Sequence, residues 1–232
     1  MTDFNNHFSC LDCKHCLETS PFGQLSETEL TTLENTRMEV SFKKGEIIYK
    51  QGTPLTHIVI IHTGLGKIYI EGSNGRNLIL HYTKKHDLNG GIGVFIDQRH
   101  YSSLMAVTDC QACFIDIAAF KSVMYSNVNF MEAYLKEHSQ RVLNTQRQMV
   151  VLTQKNMEGR MAEAIINLSE QVFIDEPIKN ISKQDLAELT AMTKESAIRV
   201  LKEFNNDKVI ESVNQSIIIL EKESLKDIAH YG

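Results

Sequence analysis

The sequence predicts an α+β chain with an N-terminal antiparallel β-roll, a long central helix and a C-terminal helix-turn-helix followed by a β-wing. Three observations carry that expectation. Short β-branched runs broken by glycine fill Met38 to Asp116, a seven-residue repeat starts at Met131, and two separately capped short helices precede an alternating stretch near the C-terminus. The 232 residues with 42% hydrophobic content suit one large or two modest cores. No run approaches the roughly 18 to 20 apolar residues of a membrane span, and the N-terminus lacks the basic-then-apolar order of a signal peptide. A soluble, cytoplasmic protein without a membrane partner is therefore expected. With a formal charge of −5, any basic surface for nucleic acid must be local.

Taken in order, residues 1–24 form an arm carrying Cys10, Cys13 and Cys16 in "CLDCKHC". Only Cys110 and Cys113 join them, and an odd set of five in a reducing compartment points to metal, redox chemistry or no role, not to a disulfide framework. The roll is expected over 25–120. It opens with a helix in "LSETELTTLENT", where Ser26 and Glu29 stand as N-cap and N3. The strands are read in "MEVSF", "EIIYKQG", "HIVIIHTG", "LGKIYIEG", "NLILHY" and "CFIDI", punctuated by Gly45, Gly52, Gly64 and later glycines. Strands this short and regularly interrupted suit a barrel or double-sheet roll.

The central helix is expected over 121–157. Met131, Leu135, His138, Val142, Thr145, Met149, Leu152 and Asn156 follow at alternating steps of four and three, a heptad seam for a homodimer. A second stripe, Phe130, Tyr134, Val150 and Val151, would pack on the roll and leave the seam free. The alternative is that the seam itself covers the roll of its own chain. Polar His138, Thr145 and Asn156 would trade stability for register.

Residues 158–232 are expected to hold the third unit. Ser182 with Asp185 marks one helix start and Thr193 the next, after a tight stretch from Thr190 to Met192. Leu186, Ala187, Leu189, Ala197, Val200, Leu201 and Phe204 would share one buried face, turning Lys194, Glu195, Ile198, Arg199 and Lys202 outward. Small Ala187 permits the close helix crossing of a helix-turn-helix. "VIESVNQSIIIL" then alternates as a hairpin with Asn214 and Gln215 at its tip. A generic helical packing unit with a solvated face is the alternative.

In this order and length the three pieces resemble the Crp/Fnr superfamily of transcription regulators over almost the whole chain. "FKKGEIIYKQG" and "HIVIIHTGLGKIYI" are similar to the family's cyclic-nucleotide-binding-domain glycine pattern, and "ISKQDLAELTAMTKESAIRVLKEF" to its recognition unit. The resemblance implies a homodimer on palindromic double-stranded DNA with TGA-containing half-sites, acting with RNA polymerase, and puts Glu195 and Arg199 at the two base-reading positions. Four residues apart, they share one helix face, where a carboxylate can accept from cytosine and a guanidinium can grip guanine. Thr193, Lys194, Ser196 and Lys202 border that face as phosphate-contact candidates, and Ile198 sits between the two readers. A surface ion pair between Glu195 and Arg199 is the competing explanation.

For the sensor, the stretch matching the family's nucleotide site reads "LNGGIGVFIDQRHYSSLMAV". Gly91 stands where a glutamate would hold the ribose, and Arg99 is displaced from the phosphate position near His100 and Tyr101, which disfavours a cyclic nucleotide. "HYSSLMAVTDCQAC" resembles the Fnr branch without a gap, which singles out Cys113. That implies a [4Fe-4S] cluster on Cys10, Cys13, Cys16 and Cys113, and C-x2-C-x2-C is itself ferredoxin-like. The Fnr branch spaces its N-terminal ligands C-x2-C-x5-C, unlike this chain. Zinc, with His7 or His15 as helpers, a metal-free thiol switch, inert cysteines and haem stay open. His57, His62, His81, His86 and His100 read singly as ordinary roll residues. No phosphate loop, nucleophile elbow or spaced carboxylate pair suggests an enzyme.

Overall fold

A computed structural model describes residues 20–73, 75–213 and 216–232. Cys10, Cys13 and Cys16, with His7 and His15, and the hairpin-tip residues Asn214 and Gln215 lie outside the described residues. The first described turn, Pro21–Gln24, sets Phe22 edge-on to Phe130 with ring centroids 5.6 Å apart. Helix α1 (Glu27–Glu34) then opens on a full capping box, in which Ser26 Oγ accepts from the Glu29 N–H and the Glu29 carboxylate accepts from the Ser26 N–H.

The roll comprises β1 (Arg37–Phe42), β2 (Ile47–Tyr49), β3 (His57–Thr63), β4 (Gly66–Glu71), β5 (Asn77–Thr83), β6 (Leu88–Asn89), β7 (Ser103–Ala106) and β8 (Cys110–Asp116). These strands form two antiparallel sheets, ordered β1-β8-β3-β6 and β2-β7-β4-β5. Because side chains alternate along a strand, β3 buries Val59 and Ile61 between the sheets and Ile58 and Ile60 on the other side, under helix α2 (Ile117–Ser126). Strand β7 escaped the sequence reading because its Ser103 looks like a turn residue. In the fold Ser103 is fully buried, accepting from the Gln51 N–H at 2.9 Å and donating to Glu71 at 2.7 Å.

Asn127 separates α2 from the long helix α3 (Val128–Gln154). Its extended backbone ends the first helix, and its side-chain oxygen accepts from the Phe130 N–H to start the second. The stretch from 121 to 126 therefore belongs to a separate helix, which corrects the expected start of the central one. Phe130 and Tyr134 pack edge-on against Phe120 at 5.7 and 5.6 Å and fix α3 to the roll. Farther along, Val150 is half exposed, so the second stripe serves the roll only in its first turns. Asn156 is not on the seam: α3 has ended, and Asn156 caps α4 (Met157–Asn167) by accepting from the Gly159 N–H.

Helix α4 runs into a π-helical turn, Leu168–Val172. There follow β9 (Ile178–Lys179), α5 (Lys183–Leu189), α6 (Lys194–Asn206), β10 (Ile210–Val213), β11 (Ser216–Ile219) and α7 (Lys222–Tyr231), with a small sheet ordered β10-β11-β9. Neither β9 nor α7 was anticipated. The first is two residues long, and the second packs so closely on α4 that a Cβ on Gly159 would lie 2.8 Å from the Gly232 backbone.

One apolar cluster runs from Leu65, Tyr69 and Ile79 of the roll into Leu186, Val200 and Phe204. Beside it Lys67 Nζ on β4 donates to Asp185 at 2.5 Å and Glu188 at 3.3 Å on α5. Among the described residues no helix is long and apolar enough to cross a membrane.

Gly64 turns the chain from β3 to β4 at φ +93°, and a Cβ there would sit 2.3 Å from the Asp109 carbonyl oxygen. Gly64→Ala is accordingly expected to cost about 2 kcal/mol or more in urea-unfolding free energy, from left-handed strain and the clash together.

Candidate nucleic-acid interface and sensor cavity

Local capping and one strained turn build the helix-turn-helix. Ser182 and Asp185 form a capping box on α5, which ends at Thr190, whose hydroxyl donates to Leu186 O at 2.6 Å. Ala191 takes φ +52°, an uncommon conformation for a residue with a Cβ, and the Met192 N–H reaches back to Ala187 O at 2.9 Å. Thr193 then caps α6 by accepting from the Ser196 N–H at 3.2 Å.

Ala197, Val200, Leu201 and Phe204 bury one face of α6, and Lys194, Glu195, Ile198, Arg199 and Lys202 are exposed on the other, with Ser196 half-buried. Arg199 pairs with Glu203 at 2.9 Å and Glu158 at 3.8 Å, so the expected competitor, an ion pair with Glu195, is not the one that forms. Both Arg199 partners sit at the protein surface, where such pairs contribute little. The wing is tied to the same helix by the Ser212 N–H donating to Asn205 at 3.0 Å.

On α3, Leu135, Val142 and Met149 are exposed, while Met131, His138 and Leu152 are half-buried. His138 stacks on Tyr134 at 5.8 Å, and the Thr145 hydroxyl donates back to Arg141 O at 3.0 Å. Both polar seam residues are thus accommodated within their own helix.

Between α3 and the sheet containing β4 and β5 lies a cavity of about 450 Å³. His100, Tyr101 and Ser102 line it, whereas Arg99 is exposed and donates to Gly52 O at 3.0 Å. The cavity's guanidinium, Arg141, is already committed to Leu88 O at 2.6 Å and Glu137 at 2.5 Å. Among the described residues lining it, no uncompensated cation awaits a phosphate. His100 instead stacks on buried Tyr49 at 4.1 Å, and both His81 Nε2 and His100 Nδ1 are buried without hydrogen-bond partners. Burial holds both imidazoles down to a pKa of about 4, reinforced for His81 by Arg141. Their pairing with the cavity was not legible in the sequence, where five histidines are scattered over the roll.

The two roll cysteines face opposite ways. Cys110 is buried between the sheets, donates to Leu65 O at 3.3 Å and has its thiol pKa raised by burial. Cys113 packs against the cluster that holds Phe22 and Phe130, with Arg37 Nη1 3.3 Å from its sulfur. Among the described residues no three His, Cys, Asp or Glu side chains are grouped to hold a metal ion.

Comparison with known proteins agrees with this geometry. Residues 39–127 match the cyclic nucleotide-binding domain and residues 159–228 the Crp-like helix-turn-helix domain. The chain belongs to the Crp/Fnr family. It is 22% identical over 209 residues to the CRP-like cAMP-activated global transcriptional regulator of Mycobacterium tuberculosis, covering 88% of this chain and 93% of that one. To electron transport regulator A of Shewanella oneidensis it is 25% identical over 226 residues, covering 95% and 90%. Its fold is shared with FixK2 from Bradyrhizobium japonicum at a TM-score of 0.75, with 18% identity over 83% of this chain and 96% of that one. As a Crp/Fnr protein the chain is a DNA-binding transcription regulator and not an enzyme.

A half-buried histidine whose Nε2 is sealed from water makes this Crp/Fnr roll acid-sensitive. His81 binds its proton near pH 4 when folded but near 6.5 when unfolded, so its contribution is complete above about pH 6.5 and is lost as pH falls toward 4. Across that window the wild type is expected to lose about 3 kcal/mol more unfolding free energy than His81→Leu, measured by urea titration at each pH.

Proposed function

We propose that two copies of the chain pair along α3 through Met131, Leu135, His138, Val142, Thr145, Met149 and Leu152, and present their α6 helices to successive major grooves of a palindromic site. The observation that carries this reading is the outward face of α6, where Glu195 and Arg199 stand one turn apart on a helix held by its buried face. Glu195 accepts from a cytosine amine and Arg199 exchanges its surface carboxylates for guanine O6 and N7. Lys194, Ser196 and Lys202, with the Thr193 cap, meet phosphates, and Ile198 lies against the outer bases of a TGA-containing half-site. Half-sites lie about one helical turn apart. RNA polymerase is the further partner through which a bound dimer acts on transcription.

The sensor reading that fits best is a [4Fe-4S] cluster on Cys10, Cys13, Cys16 and Cys113. Cys113 suits a ligand role: it faces the side of the roll where the described chain begins and packs in the same cluster as Phe22. Ser20 stands four positions after Cys16, a reach of at most roughly 14 Å. Two relatives are named electron transport regulator A and fumarate and nitrate reduction regulatory protein. When bound, a cluster supplies an oxidisable tie between the arm and the roll. A cyclic nucleotide fits poorly, because Arg141 is committed elsewhere and Arg99 points away from the cavity.

Anisotropy titrations on a palindrome and on single-base variants test the DNA reading. Glu195→Ala and Arg199→Ala are each expected to lose ~1–3 kcal/mol of discrimination at their own base position. Lys194→Ala should weaken all sequences alike and lower the salt slope by about 1. Unchanged sequence preference in both reader variants would sink the assignment. For the sensor, anaerobically purified protein should contain about four iron and four sulfide per chain, lost in Cys113→Ser but kept in Cys110→Ser. Zinc in their place, or no metal after reconstitution, would overturn the cluster.

A further inference from the structure

Across His81 from the sensor cavity lies a second one of about 440 Å³, where β5, the C-terminal half of α3, α4 and the π turn meet. That volume is in the range of small-molecule sites. Its charged lining is Lys84, Arg141, Arg147 and Arg160 against Asp87 and Glu163. Arg141 is bound to Glu137, and Glu163 is bound to Lys155 at 2.8 Å. Three cations and one carboxylate remain for an occupant.

The lining also holds three buried polar atoms with no hydrogen-bond partner: His81 Nε2, Tyr82 Oη and Arg160 Nε. Leaving buried polar atoms unpaired in this way costs stability unless something pairs with them. The Tyr82 phenol keeps its proton, its pKa driven well above 10 by burial and then by Asp185 and Glu188, so it is a donor. The backbone is unusual here as well. The π turn that forms one wall is a rare element that recurs at functional sites, and its Gln171 carbonyl accepts from Lys84 Nζ at 2.7 Å.

We propose that this cavity binds a small, multiply charged anion, a phosphorylated or carboxylated metabolite, through Tyr82 Oη–H and Arg160 Nε–H with Arg147 facing its outer charge. Occupancy reaches the helix-turn-helix directly. Arg160 also donates to the Thr190 carbonyl at 3.1 Å, and Gln148, another lining residue, reaches Ile79 O on β5 at 3.0 Å and Leu189 O at 3.5 Å. The anion thus bears on the end of α5, where the turn into the recognition helix begins. The binding site stands whatever the cysteines hold, and only its effect on DNA rests on the function proposed above.

Calorimetric titration of the full chain with sodium pyrophosphate and, separately, citrate at constant ionic strength tests it and distinguishes phosphate from carboxylate sources. One saturable equivalent per chain is expected for at least one probe, with affinity falling about tenfold or more in Tyr82→Phe and in Arg147→Ala. Tyr82→Phe removes a single oxygen and Arg147 is exposed, so neither change threatens folding. No saturable binding of either probe, or binding indifferent to both substitutions, overturns the site. With the anion bound, the DNA Kd should shift threefold or more, and an unshifted Kd overturns the coupling. A chain that binds the anion but no DNA counts against the DNA reading and leaves the site standing.

Discussion

Lys67 lies between Asp185 and Glu188 with little exposure on any of the three side chains, and this contact joins β4 of the roll to the first helix of the helix-turn-helix. Burial by itself would lower the lysine pKa, yet the hydrogen bond and charge of Asp185, with Glu188, carry it above the usual value, so the ammonium is retained. Pairing two desolvated carboxylates with one ammonium is not a large source of stability, but removing one member would strand the others. Asp185 has a second task, since its other oxygen completes the capping box of α5. The start of that helix is therefore fixed by its own chain and by the roll at once.

Because the apolar cluster beside Lys67 is continuous from Tyr69 and Ile79 to Leu186 and Phe204, the roll and the DNA-reading unit do not behave as beads on a string. A change in the roll has a packed route to α5. The cavity beside α4 lies along that route, lined by Tyr82, Ala164 and Leu168, and it shares His81 and Arg141 with the sensor cavity. The outward face of α6 stays outside this packing, and the ion pairs of its Arg199 lie at the surface. That separation suits a regulator: the coupling is buried and the readout is exposed.

The side alternation of β8 divides its chemistry. Cys110 and Cys113 are three residues apart and so face opposite sides, one a sealed thiol among Val59, Ile61 and Ala112, the other beside Arg37 on the flank where the described chain begins. Tertiary contacts thus give the two thiols different surroundings. In the same way, burial of their ring nitrogens, and for His100 stacking on Tyr49, turn His81 and His100 from ordinary-looking strand and loop residues into neutral walls of a cavity.

Periodicity and caps alone determined much of this protein. Alternation gave most of the roll strands, and Ser26, Ser182 and Thr193 marked helix starts because capping is a local contact between neighbours. The outward set on α6 followed from helical spacing around its buried residues. Strand β7, two-residue β9, helix α7 and the break at Asn127 were hidden, since each depends on partners distant in sequence or on one residue's backbone conformation. Asn156 was misassigned to the seam because a heptad count continues through a cap that only the chain's turn reveals. What the sequence by itself determined is the order of units and the outward face of α6, because these rest on local spacing. Only the tertiary structure decided which cysteine faces the flank where the described chain begins, which cations are already spent and where the cavities lie, because burial and charge pairing are made between residues far apart in the chain.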